Sequence, residues 1–517
     1  MENSKIAKKI VKLIMNKLKK LFLINSKVFS LRNIVFIFIG ACGLMMRLRI
    51  YLFNRSLWSD EALLALNIVD KNLQALITEP LDYGQAAPFG FVASARVLCV
   101  CFGHYDYILR ILPFIASLGT LIFGGLIARK SFRSSLAQCL FLALISFSPV
   151  LLYYSTEFKH YSLDVFITMV CIYCYMSPKL KWWGCALVGG LGLWFSHPVV
   201  FVMAGIGIGL LVDLIRKRDW RKFVPLALLG MFWLISFGIN YAIAAHNYAE
   251  SDYLNDYWRI GYAPFPITSL VHLGWYLEGF AELSFLSFLQ HSPKGPGFNP
   301  TWFFLHNLIL MMVSLAGFIV MLIRRPKYSF VILFPFAANL IASAFGVYPF
   351  RNRLILYLLP LLFWAIAYMI EISMNQSKKI WHAASWTIAS FLIITVLFIS
   401  LRETISPPNP SNVKTALKHV SSNMANGDAL VINGWGLAPY RYYKHLYSAG
   451  DLPYAGEPDT INTKEFVKEL RKISTGRIWV LHMHDMQLSS FFSTAVDQTD
   501  LVQSWQGDRA SVYLLTQ

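Results

Sequence analysis

Two adjacent carboxylates, Asp60 and Glu61, follow the first long apolar segment of the chain. Because an ionised carboxylate is costly in hydrocarbon, the pair marks a point where the chain has just left the bilayer. A carboxylate at a membrane surface can accept a proton from a hydroxyl, hold a metal ion or bind a cation. The structural alternative is that both residues begin a surface helix, whose first turn favours acidic side chains. The rest of the sequence decides between these interpretations.

Other polar side chains lie at the ends of later apolar segments, on the face of the membrane where the predicted topology places Asp60. They are Tyr83, Gln85, Glu157, Lys159, Tyr161, His197, Arg351 and Arg353. Arginine and lysine suit a phosphate group, and a carboxylate suits activation of an incoming nucleophile. We therefore expect a site for a phosphate-bearing lipid. Asp60, Glu61 and Glu157 are the catalytic candidates, and the other residues are the binding candidates.

Several of these candidates also have structural interpretations. Arg351 and Arg353 fit contacts with lipid headgroups. Lys159 fits an ion pair with Glu157 alone. For His197, which precedes a proline, the end of a broken helix is a better explanation than catalysis. The sequence leaves these alternatives open.

The composition is that of a membrane protein. The 517 residues are 56% hydrophobic and 14% charged, and the apolar residues form long uncharged runs. The formal net charge is +18, but the basic residues concentrate in the loops predicted to be cytoplasmic. This excess is therefore a topology signal and does not indicate a nucleic-acid partner. All 7 cysteines fall in apolar segments, so a disulfide framework is not expected.

The hydropathy pattern predicts about eleven membrane spans within residues 33–402, with external loops at 54–106 and 246–300. Residues 1–32 form a basic amphipathic segment that is expected at the inner leaflet, so the N-terminus is predicted to be cytoplasmic. With this topology every loop rich in lysine and arginine falls on one side. The apolar stretch 88–102 is short and contains Arg96, so we expect an interfacial helix there.

Residues 403–517 differ from the membrane part. They begin with Pro407, Pro408 and Pro410 and then alternate helical and strand patterns with balanced charge. This pattern is typical of a small soluble α/β domain, and the topology places it outside the membrane on the extracytoplasmic side. The predicted fold class is therefore an all-α polytopic membrane protein with a small C-terminal α/β domain.

Five segments carry a resemblance to a known family. They are Trp58-x-Asp60-Glu61, Gln85-x-x-Pro88, Leu109-Arg110-Ile111-Leu112-Pro113, Tyr153-Tyr154-Ser155-x-Glu157-x-x-x-Tyr161 and Arg353-Leu354-x-Leu356-x-Leu358-Leu359-Pro360. In this order they resemble GT-C class membrane glycosyltransferases, namely the bacterial family 39 relatives of protein O-mannosyltransferases and the aminoarabinose transferases. The resemblance covers about residues 34–400. It implies inverting transfer of a sugar from a polyprenyl-phosphate donor, with Asp60 as general base and Glu157 as a second external acid.

The chain departs from those relatives at Thr156, where glutamine is frequent, and at Lys159, where arginine is frequent. It also has Gln85-Ala86-Ala87 where some relatives carry an acidic and a basic residue before the proline. If that basic residue binds the donor phosphate in the relatives, another cation must do so here, and Lys159, Arg351 and Arg353 are the candidates. No clear metal-binding motif is present, so we expect no cofactor and expect basic side chains to neutralise the phosphate, with a divalent metal ion as the open alternative.

The predicted function is that of a glycosyltransferase at the outer side of a bacterial inner (plasma) membrane. Its expected partners are the lipid bilayer, a polyprenyl-phosphate-sugar donor and an extracytoplasmic acceptor, which is a lipid, a glycan or a protein. A polysaccharide or lipid transporter is the alternative from another class, and a ligase or polymerase that joins whole glycans shares the donor type. Transporters place charged groups near the membrane midplane in broken helices, whereas here they lie in loops and at span ends. This difference favours the enzyme.

Overall fold

The computed structural model describes residues 31–177, 182–245, 251–286, 300–324, 326–432, 434–444, 454–456, 477–483, 501–507 and 509–515. The predicted amphipathic segment 1–32 lies almost entirely outside the described residues. Parts of the predicted external loop 246–300 and of the tail 403–517 also lie outside them.

The helices of the membrane part follow from its long apolar runs, because a backbone in hydrocarbon must satisfy its own hydrogen bonds. They are α1 (Leu31–Phe53), α2 (Ser59–Asp70), α3 (Leu73–Thr78), α4 (Phe89–Phe102), α5 (Asp106–Ser131), α6 (Ser135–Phe147), α7 (Pro149–Tyr154), α8 (Tyr161–Met176), α9 (Trp182–Phe195), α10 (Val199–Lys217), α11 (Phe223–Asn240), α12 (Asp252–Tyr257), α13 (Leu270–Leu286), α14 (Pro300–Arg324), α15 (Pro326–Ala344), α16 (Leu359–Met374) and α17 (Lys379–Ile405). Short 3-10 turns cover Trp220–Lys222, Arg259–Gly261 and Asn352–Leu358, and a π-helical turn covers Tyr241–Ala245.

In the part of the chain that the structure describes, 7 helical stretches are long and apolar enough to cross a membrane. They are Leu31–Phe53, Asp106–Ser131, Val199–Lys217, Trp220–Ile243, Phe304–Arg324, Asn352–Met374 and Lys379–Ile405. Further apolar helices of 10–17 residues include α4, α6, α8 and α9. The polytopic helical fold class is thereby confirmed, while the exact number of spans and the interfacial position of α4 stay predictions.

Helix α16 lies in the middle of the bundle. Within the stretch Asn352–Met374, 89% of an apolar segment of 18 residues is buried. It packs against α6 and α14. Gly317 of α14 lies so close to the backbone carbonyl of Ala365 that a Cβ atom there would overlap it. Small residues allow this close approach of membrane helices. The rigid α16 is preceded directly by the 3-10 turn that contains Arg353.

Three irregular segments carry the polar candidates of the membrane part. The turn 155–160 between α7 and α8 is buried throughout. The turn between α3 and α4 reverses at Tyr83 and Gly84, which have positive φ values of 63° and 60°. The segment 54–58 joins α1 to α2 and begins with Asn54 at a φ of 48°. These are left-handed conformations that a tight reversal requires.

The tail contains α18 (Val413–Asn423), α19 (Gly434–Tyr443) and five strands, namely β1 (Ala429–Ile432), β2 (Tyr454–Gly456), β3 (Ile478–Met483), β4 (Leu501–Gly507) and β5 (Ala510–Leu515). The strand order is β2-β1-β3-β5-β4. Strand β1 pairs in parallel with β2 and β3, for example Val431 with Val480, whereas β5 is antiparallel to β3 and β4. The small C-terminal α/β unit expected from the sequence is therefore present.

Candidate active site

Asp60 lies in the first turn of α2, which begins after Trp58 as N-cap. The side chain of Asp60 is 18% exposed, so a small molecule or lipid headgroup at the surface can reach it. The position next to the helix N-terminus suits an anion, because the free backbone N–H groups and the helix dipole stabilise negative charge there.

Two cations flank this carboxylate. Lys159 Nζ lies 2.9 Å from Asp60 Oδ1, and Arg353 Nη1 lies 2.9 Å from Asp60 Oδ2. Gln85 joins the two partners, since its Nε2 donates to Asp60 Oδ1 at 3.3 Å and its Oε1 accepts from Lys159 Nζ at 2.7 Å. We call Asp60, Gln85, Lys159 and Arg353 the Asp60 cluster. The structure thus unites four candidates that are far apart in the sequence.

The Asp60 cluster has an aromatic wall. The guanidinium carbon of Arg353 lies 5.6 Å from the ring centroid of Tyr161 and 5.7 Å from that of Trp258. Aromatic faces attract a cation and hold it in place. Tyr161 was a sequence candidate, but Trp258 was not, because it is one of many aromatic residues in the loop 246–300 and no motif distinguishes it.

Electrostatics keep the Asp60 cluster ionised. Burial by itself would raise the pKa of Asp60, but the charges of Lys159 and Arg353 more than offset it and hold the pKa well below its usual value. Burial lowers the pKa of Lys159, although the attraction of Asp60 opposes this shift. Asp60 is therefore a carboxylate at neutral pH, and a ligand that withdraws its cations would change its basicity.

Glu61 has a different environment from its neighbour. Its side chain is 0% exposed and accepts two hydrogen bonds from Arg110, from Nε at 3.1 Å and from Nη2 at 2.8 Å. The backbone N–H of Phe158 donates to the same carboxylate at 2.6 Å. Burial would raise the pKa of Glu61, but Arg110 and Arg55 outweigh it and lower the pKa. This geometry favours a positioning role over contact with substrate.

Glu157 lies beside Glu61 in the same buried network. Arg55 Nη2 contacts a Glu157 oxygen at 2.8 Å, and Trp58 Nε1 donates to the other oxygen at 3.0 Å. Burial and the charge of Glu61 raise the pKa of Glu157. We call Arg55, Glu61, Arg110 and Glu157 the Glu61 network. Sequence reasoning assigned no role to either arginine, although Arg110 lies within one of the segments that carry the family resemblance.

Three further sequence candidates, Arg351, His197 and Tyr83, are not members of the Asp60 cluster. Arg351 pairs with two acids of α13, with Glu278 at 3.4 Å and with Glu282 at 3.1 Å. His197 is half-buried, and burial lowers its pKa to about 4, so it is neutral at physiological pH. Tyr83 lies in the turn that carries Gln85 and is 44% exposed.

The alternative of a simple Lys159–Glu157 pair is not what the structure shows, because the ammonium group of Lys159 contacts Asp60 instead. Glu157 is paired with Arg55. In the described ranges, no three His, Cys, Asp or Glu side chains cluster in a way that could hold a metal ion. Lys159 and Arg353 are the cationic side chains that contact Asp60 in the described residues.

Two solved structures are similar to this chain over most of its length. The crystal structure of ArnT from Cupriavidus metallidurans bound to undecaprenyl phosphate aligns with a TM-score of 0.51 at 10% sequence identity, over 92% of this chain and 97% of that chain. The apo state of the same ArnT aligns with a TM-score of 0.48 at 10% identity, over 91% and 97%. No family model and no curated protein sequence matches the chain. The predicted resemblance to GT-C aminoarabinose transferases is thereby confirmed at the level of the fold.

Proposed function

We propose that this protein is a membrane glycosyltransferase that moves a sugar from a polyprenyl-phosphate donor to a hydroxyl of an extracytoplasmic acceptor. The observation that carries the proposal is the Asp60 cluster, in which one partly open carboxylate is ion-paired with two cations. The fold likeness supports a lipid phosphate as ligand, since one of the similar ArnT structures is bound to undecaprenyl phosphate.

The donor phosphate binds Lys159 and Arg353. Both cations are held in place before the donor arrives, Lys159 by Gln85 and Arg353 by the rings of Tyr161 and Trp258. Arginine can bind a phosphate through two parallel hydrogen bonds, and lysine adds a compact charge. Preorganised cations stabilise the charge that develops on the departing phosphate at little cost in reorganisation.

In the reaction the acceptor oxygen attacks the anomeric carbon of the sugar from the face opposite to the phosphate. The new bond between oxygen and carbon forms as the bond between that carbon and the phosphate oxygen breaks. The electron pair leaves with the polyprenyl phosphate, and the acceptor proton passes to the carboxylate of Asp60. The displacement inverts the configuration of the sugar and needs no acid for the leaving group, because a phosphate is already stable as an anion.

The pairing of Asp60 with the same cations links base strength to donor binding. In the resting protein Lys159 and Arg353 hold the pKa of Asp60 well below its usual value, which makes it a weak base. When the donor phosphate shares these cations, their hold on Asp60 weakens and its pKa rises. Asp60 therefore becomes an effective base only when a donor is present.

The comparison of cells with and without the protein tests this function. We expect mass spectrometry of extracted lipids to show a polyprenyl-phosphate sugar that accumulates in cells without the protein, together with loss of one glycosylated product. Cells that carry the Asp60→Asn variant should match the cells without the protein, whereas Asp70→Asn, at the exposed end of the same helix, should restore the wild-type profile. Identical lipid and glycan profiles with and without the protein would overturn the proposal.

A further inference from the structure

A tyrosine of the tail is hydrogen-bonded to the segment that leads to Asp60. The backbone N–H of Leu57 donates to Tyr443 Oη at 2.8 Å. The same hydroxyl donates to Asp106 Oδ2 at 2.8 Å, so its direction is fixed. Leu57 and Tyr443 are both fully buried, and they are 386 residues apart in the chain. Through Tyr443 the C-terminal unit therefore contacts the buried interior of the membrane part. The contact is made at Leu57, three positions before Asp60 in the sequence.

A lysine of the tail holds the beginning of the same segment. Lys414, in the first turn of α18, places its Nζ 2.6 Å from the carbonyl oxygen of Asn54 and 2.8 Å from Asp106 Oδ2. Its backbone N–H donates to Ser56 Oγ at 3.2 Å. Asn54 has a left-handed φ of 48°, a conformation that needs support from its surroundings in a residue other than glycine.

The membrane part holds the segment from its other side. Arg110 Nη1 donates to the carbonyl of Arg55 at 2.6 Å, and Arg110 Nη2 lies 3.3 Å from the carbonyl oxygen of Ser56. Each residue of the segment 54–57 is thus bonded to Arg110 or to the tail. The segment has no regular secondary structure of its own, so these contacts determine where α2 begins and where Asp60 lies.

We propose that Tyr443 and Lys414 are positioning residues through which the C-terminal unit sets the geometry of the Asp60 cluster. The proposal rests on the function proposed above. Removal of the Tyr443 hydroxyl leaves the buried N–H of Leu57 without this acceptor, and the segment must shift or open to hydrate it. A general base works only within hydrogen-bond reach of its proton, and a displacement of about 1 Å can cost a large part of the rate. The tail is then part of the catalytic architecture and not an independent appendage.

The test compares Tyr443→Phe with Tyr442→Phe in the full-length purified protein. Both changes remove one hydroxyl from the same helix end and keep the ring. The Tyr442 hydroxyl donates to the carbonyl of His104, outside the segment 54–57, at 2.9 Å. We expect Tyr443→Phe to lower kcat about tenfold while the donor KM stays within about twofold, as for a misplaced base with intact donor contacts. Tyr442→Phe should keep the wild-type kcat.

Hydrogen exchange supplies a readout that does not depend on the reaction. Peptides that cover residues 54–62 should exchange faster in Tyr443→Phe than in the wild type, and at the wild-type rate in Tyr442→Phe, because only the first change opens the segment. Unchanged exchange in Tyr443→Phe, faster exchange with an unchanged kcat, or an equal loss of kcat in both variants would each overturn the proposal. If the wild type transfers no sugar, the proposed function fails, whereas the exchange data still report whether Tyr443 holds the segment.

Discussion

Asp60 and Glu61 are neighbours in the sequence, but they belong to different electrostatic regions. The side chain of Asp60 is 18% exposed, and Lys159 and Arg353 contact its two oxygens. The side chain of Glu61 is 0% exposed, and Arg110 and the Phe158 N–H occupy its oxygens. Consecutive residues of an α-helix are about 100° apart around its axis, so one carboxylate is partly exposed and the other points into the bundle.

The difference favours Asp60 over Glu61 as the carboxylate of the proposed reaction. In the proposed function the cations of Asp60 turn to an incoming phosphate, and the partial exposure of Asp60 (18%) and Arg353 (16%) gives the phosphate access to them. The carboxylate of Glu61 cannot lose Arg110 without leaving a charge in the protein interior, which is very costly. The Asp60 cluster is therefore suited to react, and the Glu61 network holds the segment 54–58 and the turn 155–160, which lead to Asp60 and Lys159. The following predictions test this division.

The largest effect is expected for Asp60→Asn, which keeps the shape of the side chain and removes its basicity. We expect kcat to fall about 10³-fold, within the range that general-base catalysis contributes. The change also leaves Lys159 and Arg353, whose side chains are 4% and 16% exposed, without their charged partner, so some loss of stability is expected and kcat is measured on the folded protein. Asp70→Asn is the matched control on α2. Near-normal turnover of Asp60→Asn with purified donor and acceptor would place the base elsewhere, with Glu157 as the next candidate.

Glu61→Gln should affect folding more than chemistry. The change leaves the buried Arg110 without its charged partner, and loss of one partner of a buried ion pair costs about 3 kcal/mol or more. We expect this loss in the free energy of unfolding, measured by titration with a denaturing detergent. Glu278→Gln, which removes the 67% exposed partner of Arg351, should cost less than about 0.5 kcal/mol. A Glu61→Gln variant as stable as the wild type contradicts the structural role.

Substitutions of Arg353, in the 3-10 turn, and of Arg351, directly before that turn, distinguish a donor-phosphate site from its surroundings. Arg353→Ala should raise the donor KM about tenfold and lower kcat less, because it removes a charged contact that is present before the chemical step. Arg351→Ala should leave the donor KM within about twofold, since Arg351 is already paired with Glu278 and Glu282. Steady-state kinetics with varied donor measure both values. Equal effects of the two substitutions would count against a phosphate site at Arg353.

The smallest effect concerns the pH dependence. With Asp60 as the proposed general base, catalysis needs this carboxylate ionised, and kcat/KM is expected to fall as the pH drops through its pKa in the free protein. That pKa lies well below its usual value in the wild type, because Lys159 and Arg353 stabilise the carboxylate. Lys159→Gln removes one cation and leaves the burial, so the acid limb of the profile should move to higher pH. Lys217→Gln, an exposed lysine of α10, is the control. An acid limb that does not move would show that Lys159 does not set the basicity.

Much of the fold was determined by local patterns in the sequence. Long apolar runs must form helices in hydrocarbon, and the alternation of strand and helix patterns after Pro410 predicted the C-terminal sheet. The position of Asp60 just after the first apolar helix was also clear, because a charged pair cannot continue that helix through the bilayer. These conclusions depend on residues that lie within one or two helical turns of each other.

The pairing of charges was decided only by the tertiary structure. Lys159 is two residues from Glu157 in the sequence, yet it pairs with Asp60, which is 99 residues away. Trp258 contacts Arg353 of the site, and Tyr443 contacts Leu57 shortly before Asp60. Both residues come from distant segments of the chain, and no spacing rule predicts these contacts. An ion pair depends on distance and on burial, and both are set by how the helices pack. The sequence determined where charges leave the membrane, and the packing determined which of them can react.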